Sequence, residues 1–456
     1  MAFLKSRTQK RAALLALLIL SVLATGLAWS RLDRSAASTA EASALAVAEA
    51  QRRIDEQQRQ GHYTQALYQV RTLAEQQGWT ADLYQQAGDL YAAMNDLSGA
   101  AASWEAARQL APARSIIELR RLAQTCLDLG RWAQAADVLG ALLEQSPDDA
   151  WANYRLGLLL APSDPRRADA YLEVAARQPE YTDVASPLLL RLRAEQDNPL
   201  ISMQVGLLLV EADLWTDAER AFQYAASTAA PYPEALAYVA LAREQQGKDG
   251  TDWIQQAVAL APDSAPVRYV EGLYWRARND FAASQRALVQ AVIADPNNAA
   301  LYAELGTAFQ LVGDYEQAEH WLQIAVALAE NEPHVQERFQ ELLALFYAET
   351  GYNLPEGGLE LLRLTAEVLA DDADARAAYG WGLYRTGQAE AGLTEIETAL
   401  SLEADNSRAL YYRALIALQM GETERGRELL NQVVAIGGVF RDEAAIRLQQ
   451  LANQDG

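Results

Sequence analysis

The stretch LYAELGTAFQLVGDYEQAEHWLQIAVALAE, residues 301–330, decides the fold of this chain. It reads as two helices that are joined by a tight turn at Gly313-Asp314. Gly313 suits the left-handed position that ends the first helix, and Asp314 suits the N-cap of the second. Gly306 needs an explanation, because a glycine inside a helix costs about 1 kcal/mol relative to alanine.

The stretch belongs to a pattern that repeats every 34 residues. Three pairs of residues show this separation: Gly272 and Gly306, Pro262 and Pro296, and Gly387 and Gly421. Within residues 299–332 the pattern is carried by Tyr302, Leu305, Gly306, Phe309, Gly313, Tyr315, Ala318, Leu322 and Ala325. A large aromatic residue, Leu-Gly, an aromatic residue and alanine at these offsets resemble the tetratricopeptide repeat family.

The resemblance implies an all-α fold, an α-α superhelical solenoid of about eleven helix-turn-helix repeats. The repeats are expected in residues 47–181 and 199–440, with an irregular unit at 333–358. Residues 182–198 fit no full repeat and are expected to form an irregular helical connector. Residues 441–456 are expected to form a C-terminal capping helix.

Six glycines recur at the same place in the first helix of a repeat. They are Gly88, Gly157, Gly206, Gly272, Gly306 and Gly380. At the crossing of two paired helices a side chain would hold the backbones apart. We therefore expect closer packing to offset the cost of each glycine.

Residues 12–29, AALLALLILSVLATGLAW, carry no charge. Eighteen helical residues span about 27 Å, enough to cross a bilayer core, so one transmembrane helix is predicted before the repeats. Residues 1–11 are then a basic cytoplasmic tail, residues 30–46 a linker, and the repeats extracytoplasmic in a single-pass bacterial membrane protein. In the alternative, the segment is a signal peptide cut near Ala28, and the mature protein is secreted or periplasmic.

The composition excludes some classes of function. The net charge of −23 disfavours nucleic acid, and it favours basic partners unless it only keeps the surface soluble. The single cysteine, Cys126, allows no thiolate cluster, and the three histidines lack metal-ligand spacing. We therefore predict no catalytic, cofactor-binding or metal-binding residues.

The family resemblance implies that the first helices line a groove that binds peptide or protein segments. The groove candidates are Tyr269, Arg276, Trp381, Tyr384, Arg385, Arg408 and Tyr411. These residue types are common at binding hot spots, although packing between repeats would also use the aromatic ones. The expected function is a noncatalytic, membrane-anchored scaffold in an envelope complex. The alternative is a soluble adaptor or a regulatory, substrate-recruiting subunit of an envelope enzyme.

Overall fold

The chain folds into two helical units. A computed structural model describes residues 44–112, 114–195, 198, 200–227 and 232–454. The boundary between the units lies between Ala194 and Glu195. In both units, helices that follow each other in the chain pack together, as expected for stacked hairpins.

Over its described residues, the first unit consists of four hairpins and a single helix. The helices are α1 (44–59), α2 (Tyr63–Gln77), α3 (Ala81–Ala93), α4 (Leu97–Leu110), α5 (Ile116–Asp128), α6 (Trp132–Gln145), α7 (Ala150–Leu160), α8 (Pro165–Ala175) and α9 (Pro179–Ala194). The single helix, α9, contains residues 182–194 of the expected connector, including Pro187 within the helix.

Over its described residues, the second unit consists of seven hairpins and a final helix. The helices are α10 (Ile201–Glu211), α11 (Trp215–Ser227), α12 (Pro233–Gln245), α13 (Thr251–Leu260), α14 (Ala265–Ala277), α15 (Phe281–Ala294), α16 (Ala299–Leu311), α17 (Tyr315–Leu328), α18 (Pro333–Thr350), α19 (Leu359–Val368), α20 (Ala373–Arg385), α21 (Ala389–Leu402), α22 (Ser407–Gln419), α23 (Thr423–Ile436) and α24 (Arg441–Gln454). The two units together hold eleven described hairpins.

The turn between α16 and α17 has the chemistry that the sequence predicts. Gly313 has φ +80°, and the side chain of Asp314 accepts a hydrogen bond from the Gln317 amide at 3.3 Å. Three other turns place an asparagine or aspartate in the left-handed region: Asn95, Asp213 and Asn279. The short polar side chains of these residue types tolerate this conformation better than others do. The predicted turn at Gly313-Asp314 is therefore confirmed.

The six recurring glycines lie where a first helix touches the second helix of its hairpin. A Cβ atom on Gly306 would lie 2.8 Å from Leu322 Cγ and 3.1 Å from the Ala318 carbonyl oxygen. The other five would each meet the corresponding hairpin partner: Gly88 with Trp104, Gly157 with Leu172, Gly206 with Phe222, Gly272 with Leu288 and Gly380 with Ile396. All these distances are below ordinary contact, so the glycines permit the observed approach of the paired helices.

The connection in the irregular unit 333–358 differs from a simple turn. The helix α18 has 18 residues and ends at Thr350, and its C-cap, Gly351, has φ +74°. Asn353 also has positive φ, and residues Leu354–Gly358 form a π-helical turn before α19. The amide of Asn353 donates to both carboxylate oxygens of Glu319, at 3.1 and 2.9 Å, which fixes the turn against α17.

Membrane crossing is the point on which the sequence-based expectation needs correction. Across the described ranges, no helix combines the length and the apolar character that a bilayer requires. The longest of α2–α24, α18, carries Glu337, Arg338, Glu341 and Glu349. This finding contradicts the predicted transmembrane helix and the single-pass membrane localisation that was inferred from it. Residues 12–29, on which both rested, lie outside the described residues.

Candidate functional site

Clefts in the second unit lie along the first helices of successive hairpins. One of them, which we call the aromatic cleft, has a volume of about 570 Å³. It is lined by Glu349, Trp381, Tyr384, Arg385, Tyr411, Tyr412, Leu415, Gln419, Phe440 and Arg447. These residues come from α18, α20, α22, α24 and the turn before α24. Four of the seven groove candidates, Trp381, Tyr384, Arg385 and Tyr411, therefore share one cleft.

The aromatic side chains of this cleft stack in near-parallel pairs. Trp381 stacks on Tyr384 with ring centroids 5.8 Å apart, and on Tyr412 at 5.1 Å. Tyr411 stacks on Phe440 at 4.5 Å with an angle of 6° between the rings. Trp381 is only 8% exposed, so most of its surface packs between the repeats. The same rings therefore both stabilise the unit and line its cleft.

Arg408 does not face the cleft as the groove hypothesis expects. Its side chain is buried, and its Nη1 donates to Glu349 Oε1 at 2.8 Å and to the Tyr412 hydroxyl at 3.3 Å. Its Nε lies 3.5 Å from Asp374 Oδ1. Burial by itself would lower the pKa of Arg408, but Tyr412, Glu349 and Asp374 raise it above its ordinary value. Arg408 is therefore a fixed cation that holds α18 against α22.

Arg385 combines a structural contact with an exposed position at the cleft. Its Nη1 donates to the carbonyl oxygens of Ala348 and Glu349, at 2.9 and 3.2 Å, and its Nη2 to that of Thr350 at 3.3 Å. These carbonyls belong to the last turn of α18, where no intrahelical donor is available. Its guanidinium also lies 5.9 Å from the Trp381 ring centroid. The arginine thus caps α18 and places positive charge beside the cleft.

The other two groove candidates, Tyr269 and Arg276, line a separate middle cleft of about 400 Å³. Its walls come from α10, α12 and α14, with Trp215 at the start of α11. Burial, with a contribution from the charge of Glu304, raises the pKa of Tyr269. Arg276 pairs with Glu304 at 2.8 Å. The structure therefore divides the seven candidates into the aromatic cleft, the middle cleft and the buried Arg408.

Six residues of the aromatic cleft are not among the groove candidates from the sequence: Glu349, Tyr412, Leu415, Gln419, Phe440 and Arg447. Tyr412 follows a predicted groove position and could have been found by allowing for a wider face of α22. Phe440 is the last residue of the expected repeats, and Arg447 lies in the expected capping helix, where the repeat pattern stops. Glu349 lies in the unusually long α18, so the 34-residue register does not assign it a position.

The described residues also show the surroundings of the side chains that could bind a metal ion or react as a thiol. The described part of the chain holds no group of three His, Cys, Asp or Glu side chains arranged to bind a metal ion. Cys126 is fully buried in the core between α5 and its neighbours, and burial raises its pKa to about 11. A thiol with so high a pKa stays protonated near neutral pH and is a poor nucleophile.

Comparison with known families supports the repeat assignment in three stretches. Residues 116–159 match one tetratricopeptide repeat model, and residues 269–333 and 378–438 match another. These three stretches match tetratricopeptide repeats. The first covers α5 to most of α7, and the others cover α14–α17 and α20–α23 in whole or in large part. The resemblance to tetratricopeptide repeats, which the glycine and aromatic pattern indicates, is therefore confirmed for these three stretches.

Two solved structures are similar to this chain at low sequence identity. The crystal structure of yeast Tom70 is 16% identical, with 82% of this chain and 96% of that chain covered and a TM-score of 0.35. YrrB, described as a TPR protein with an unusual peptide-binding site, is 15% identical, with 43% and 97% covered and a TM-score of 0.29. At these TM-scores, neither structure supports a conclusion about this protein. No curated protein matches the sequence.

Proposed function

We propose that the protein is a noncatalytic scaffold that binds peptide or protein segments along the first helices of its hairpins. The observation that carries the proposal is the aromatic cleft, about 570 Å³ in volume and lined by Trp381, Tyr384 and Tyr411. Concave sites of this size, with aromatic walls and a few polar groups, are typical of binding sites. Tryptophan, tyrosine and arginine are enriched among the few residues that supply most of the binding energy at protein interfaces.

The arrangement of the clefts adds support. In the second unit, first helices supply most of the wall of the aromatic cleft and of the middle cleft. An extended segment lying across successive first helices would contact one side chain after another, which suits recognition of a peptide rather than a compact small molecule. An envelope location rested on residues 12–29 alone and has no part in the proposal.

The proposal is tested by placing a photo-crosslinking amino acid at single positions in the full chain. Tyr384 and Gln419 report on the aromatic cleft, and Leu273 reports on the middle cleft. Glu424 and Glu428, exposed on the second helix α23, are matched controls. We expect crosslinked partner peptides, identified by mass spectrometry, from the cleft positions and not from the controls. Equal yields from both sets, or none from the cleft positions, would contradict the proposal.

A further inference from the structure

The charge of the aromatic cleft is opposite to the charge of the chain. The whole chain carries −23, yet the cleft is lined by two arginines, Arg385 and Arg447, and by one acid, Glu349. Glu349 already pairs with the buried Arg408 at 2.8 Å, so its charge is compensated from behind. Arg447 is exposed on α24, and no ion pair to it is found among the described residues. The charge that the cleft offers to a ligand is therefore positive.

The aromatic rings of the cleft are poorly arranged to receive a cation. A cation binds over an open ring face, but these rings stack on each other in near-parallel pairs. Two of the ring faces already have an arginine of the chain beside them. Arg385 lies over Trp381, and Arg408 lies 5.3 Å from the Phe440 centroid. A basic partner, which the net charge of the chain favours, would meet two arginines here. It would gain little from the rings in return.

The cleft offers suitable contacts to an aromatic side chain of a partner. Tyr384 is half-buried, and Leu415 adds aliphatic surface beside it. A ring that enters from a partner needs no open ring face, because it can make edge-to-face contacts with such side chains. A carboxylate near that ring would come within reach of the two arginines, which bind carboxylates by charge-assisted hydrogen bonds.

We propose that the aromatic cleft recognises a partner segment in which an aromatic residue is flanked by aspartate or glutamate. The inference rests on the proposed function, because it names the kind of peptide that the cleft selects. The aromatic side chain enters the cleft between Tyr384, Leu415 and Phe440, and the flanking carboxylates pair with Arg447 and Arg385. The acidic character of the rest of the chain then opposes non-specific attachment of acidic proteins and restricts them to this cleft.

The test uses the full chain and three fluorescein-labelled peptides of equal length. One carries tryptophan between glutamates, the second carries tryptophan between lysines, and the third carries alanine between glutamates. Fluorescence anisotropy gives the affinities. We expect the Glu-Trp-Glu peptide to bind at least tenfold more tightly than the other two. Its affinity should fall as salt is added, because salt screens the ion pairs with the arginines. Equal or tighter binding of the lysine peptide would overturn the inference.

Charge reversal separates the cleft from the overall charge. Arg447→Glu should lower the affinity for the Glu-Trp-Glu peptide about tenfold and raise the affinity for the lysine peptide. Arg425→Glu makes the same charge change on α23, where Arg425 is exposed and does not line the cleft. It should leave both affinities within about twofold. Equal effects of the two variants would overturn the inference, because the response would then reflect net charge alone.

Failure of this inference is distinguishable from failure of the scaffold function. If the lysine peptide binds best and Tyr384→Ala, with an unchanged melting temperature, abolishes that binding, the cleft is a peptide site of another specificity. The scaffold function then stands and the inference falls. If no peptide binds and crosslinkers at Tyr384 and Gln419 capture nothing, both proposals fall.

Discussion

Arg408 Nη1 lies 2.8 Å from Glu349 Oε1, so one ion pair joins α22 to α18 across 59 residues of chain. Arg408 is almost completely buried, whereas the carboxylate side chain of Glu349 is 30% exposed. Removing Glu349 and removing Arg408 therefore have different consequences for the partner that remains. Without Glu349, a buried cation keeps Asp374, the Tyr412 hydroxyl and the Phe440 ring face. Without Arg408, water can solvate the remaining carboxylate.

Glu349→Ala is accordingly expected to lower the free energy of unfolding by about 2–3 kcal/mol, somewhat below the cost of an uncompensated buried charge. Arg408→Met, which removes the buried cation and keeps its volume apolar, should cost about 1 kcal/mol. Urea denaturation followed by tryptophan fluorescence measures both. Glu428→Ala, which breaks the exposed pair with Arg425, should stay within about 0.5 kcal/mol. A larger cost for Arg408→Met than for Glu349→Ala would contradict this asymmetry.

Substitution by alanine should change the free energy of unfolding in opposite directions at two glycines inside helices. Gly306→Ala places a Cβ against Leu322 and the Ala318 carbonyl oxygen, and the backbone oxygen cannot move alone. We expect a loss of about 1–2 kcal/mol, since overpacking outweighs the gain in helix propensity. Gly140, inside α6, has nothing within 4 Å of its Cβ position. Gly140→Ala should stabilise by about 0.5–1 kcal/mol.

Thermal melting of the two variants beside the wild type checks this prediction. Gly306→Leu, with a larger side chain at the same crossing, should lower the melting temperature further than Gly306→Ala does. If Gly306→Ala and Gly140→Ala both raise the melting temperature, the close approach of α16 to α17 does not depend on the glycine.

The capping of α17 gives a prediction from local structure alone. The side chain of Asp314 accepts from the Gln317 amide, which has no other partner inside the first turn. Asp314→Ala should cost about 1 kcal/mol, whereas Asp314→Asn keeps an accepting oxygen and should cost less than half of that. Chemical denaturation of the two variants measures the difference. Equal losses would show that the charge, rather than the hydrogen bond, stabilises the helix end.

The sequence predicts the hairpins well because their determinants are local. Glycine at a left-handed position, as at Gly313, and aspartate at the N-cap, as at Asp314, lie within a few residues of the turn that they form. The 34-residue register then places Trp381, Tyr384 and Tyr411 on the same face of successive first helices. Four of the seven groove candidates consequently line one cleft.

What the sequence could not predict depends on contacts between distant residues. Arg408 has the register of a groove residue, but Glu349, Asp374 and Tyr412 bind it in the interior. Glu349 reaches it only because α18 is longer than a repeat helix. Likewise, the net charge of −23 does not predict the charge of a cleft whose rim holds Arg385 and Arg447. Charge distribution becomes visible only once the fold assigns each side chain to a surface.

Cys126 provides a prediction that depends on pH. Burial raises the pKa of its thiol from 9.0 to about 11 in the folded chain, whereas the unfolded chain has the ordinary value. Between these two values the unfolded state loses its proton first, so it binds fewer protons than the folded state. The contribution of this residue to stability therefore falls as the pH rises from about 9 to about 11. The decline in stability over this range should be smaller in Cys126→Ala.

Reactivity with a thiol reagent gives an independent measurement of the same burial. At pH 8 the thiol of Cys126 should react with dithiobisnitrobenzoate at least a hundredfold more slowly in the folded chain than in urea. A matched control is Ser163→Cys in the Cys126→Ala background, since Ser163 is exposed in the turn after α7. That thiol should react at similar rates with and without urea. Rapid labelling of Cys126 at low denaturant would mean that the core between α5 and α6 opens without global unfolding.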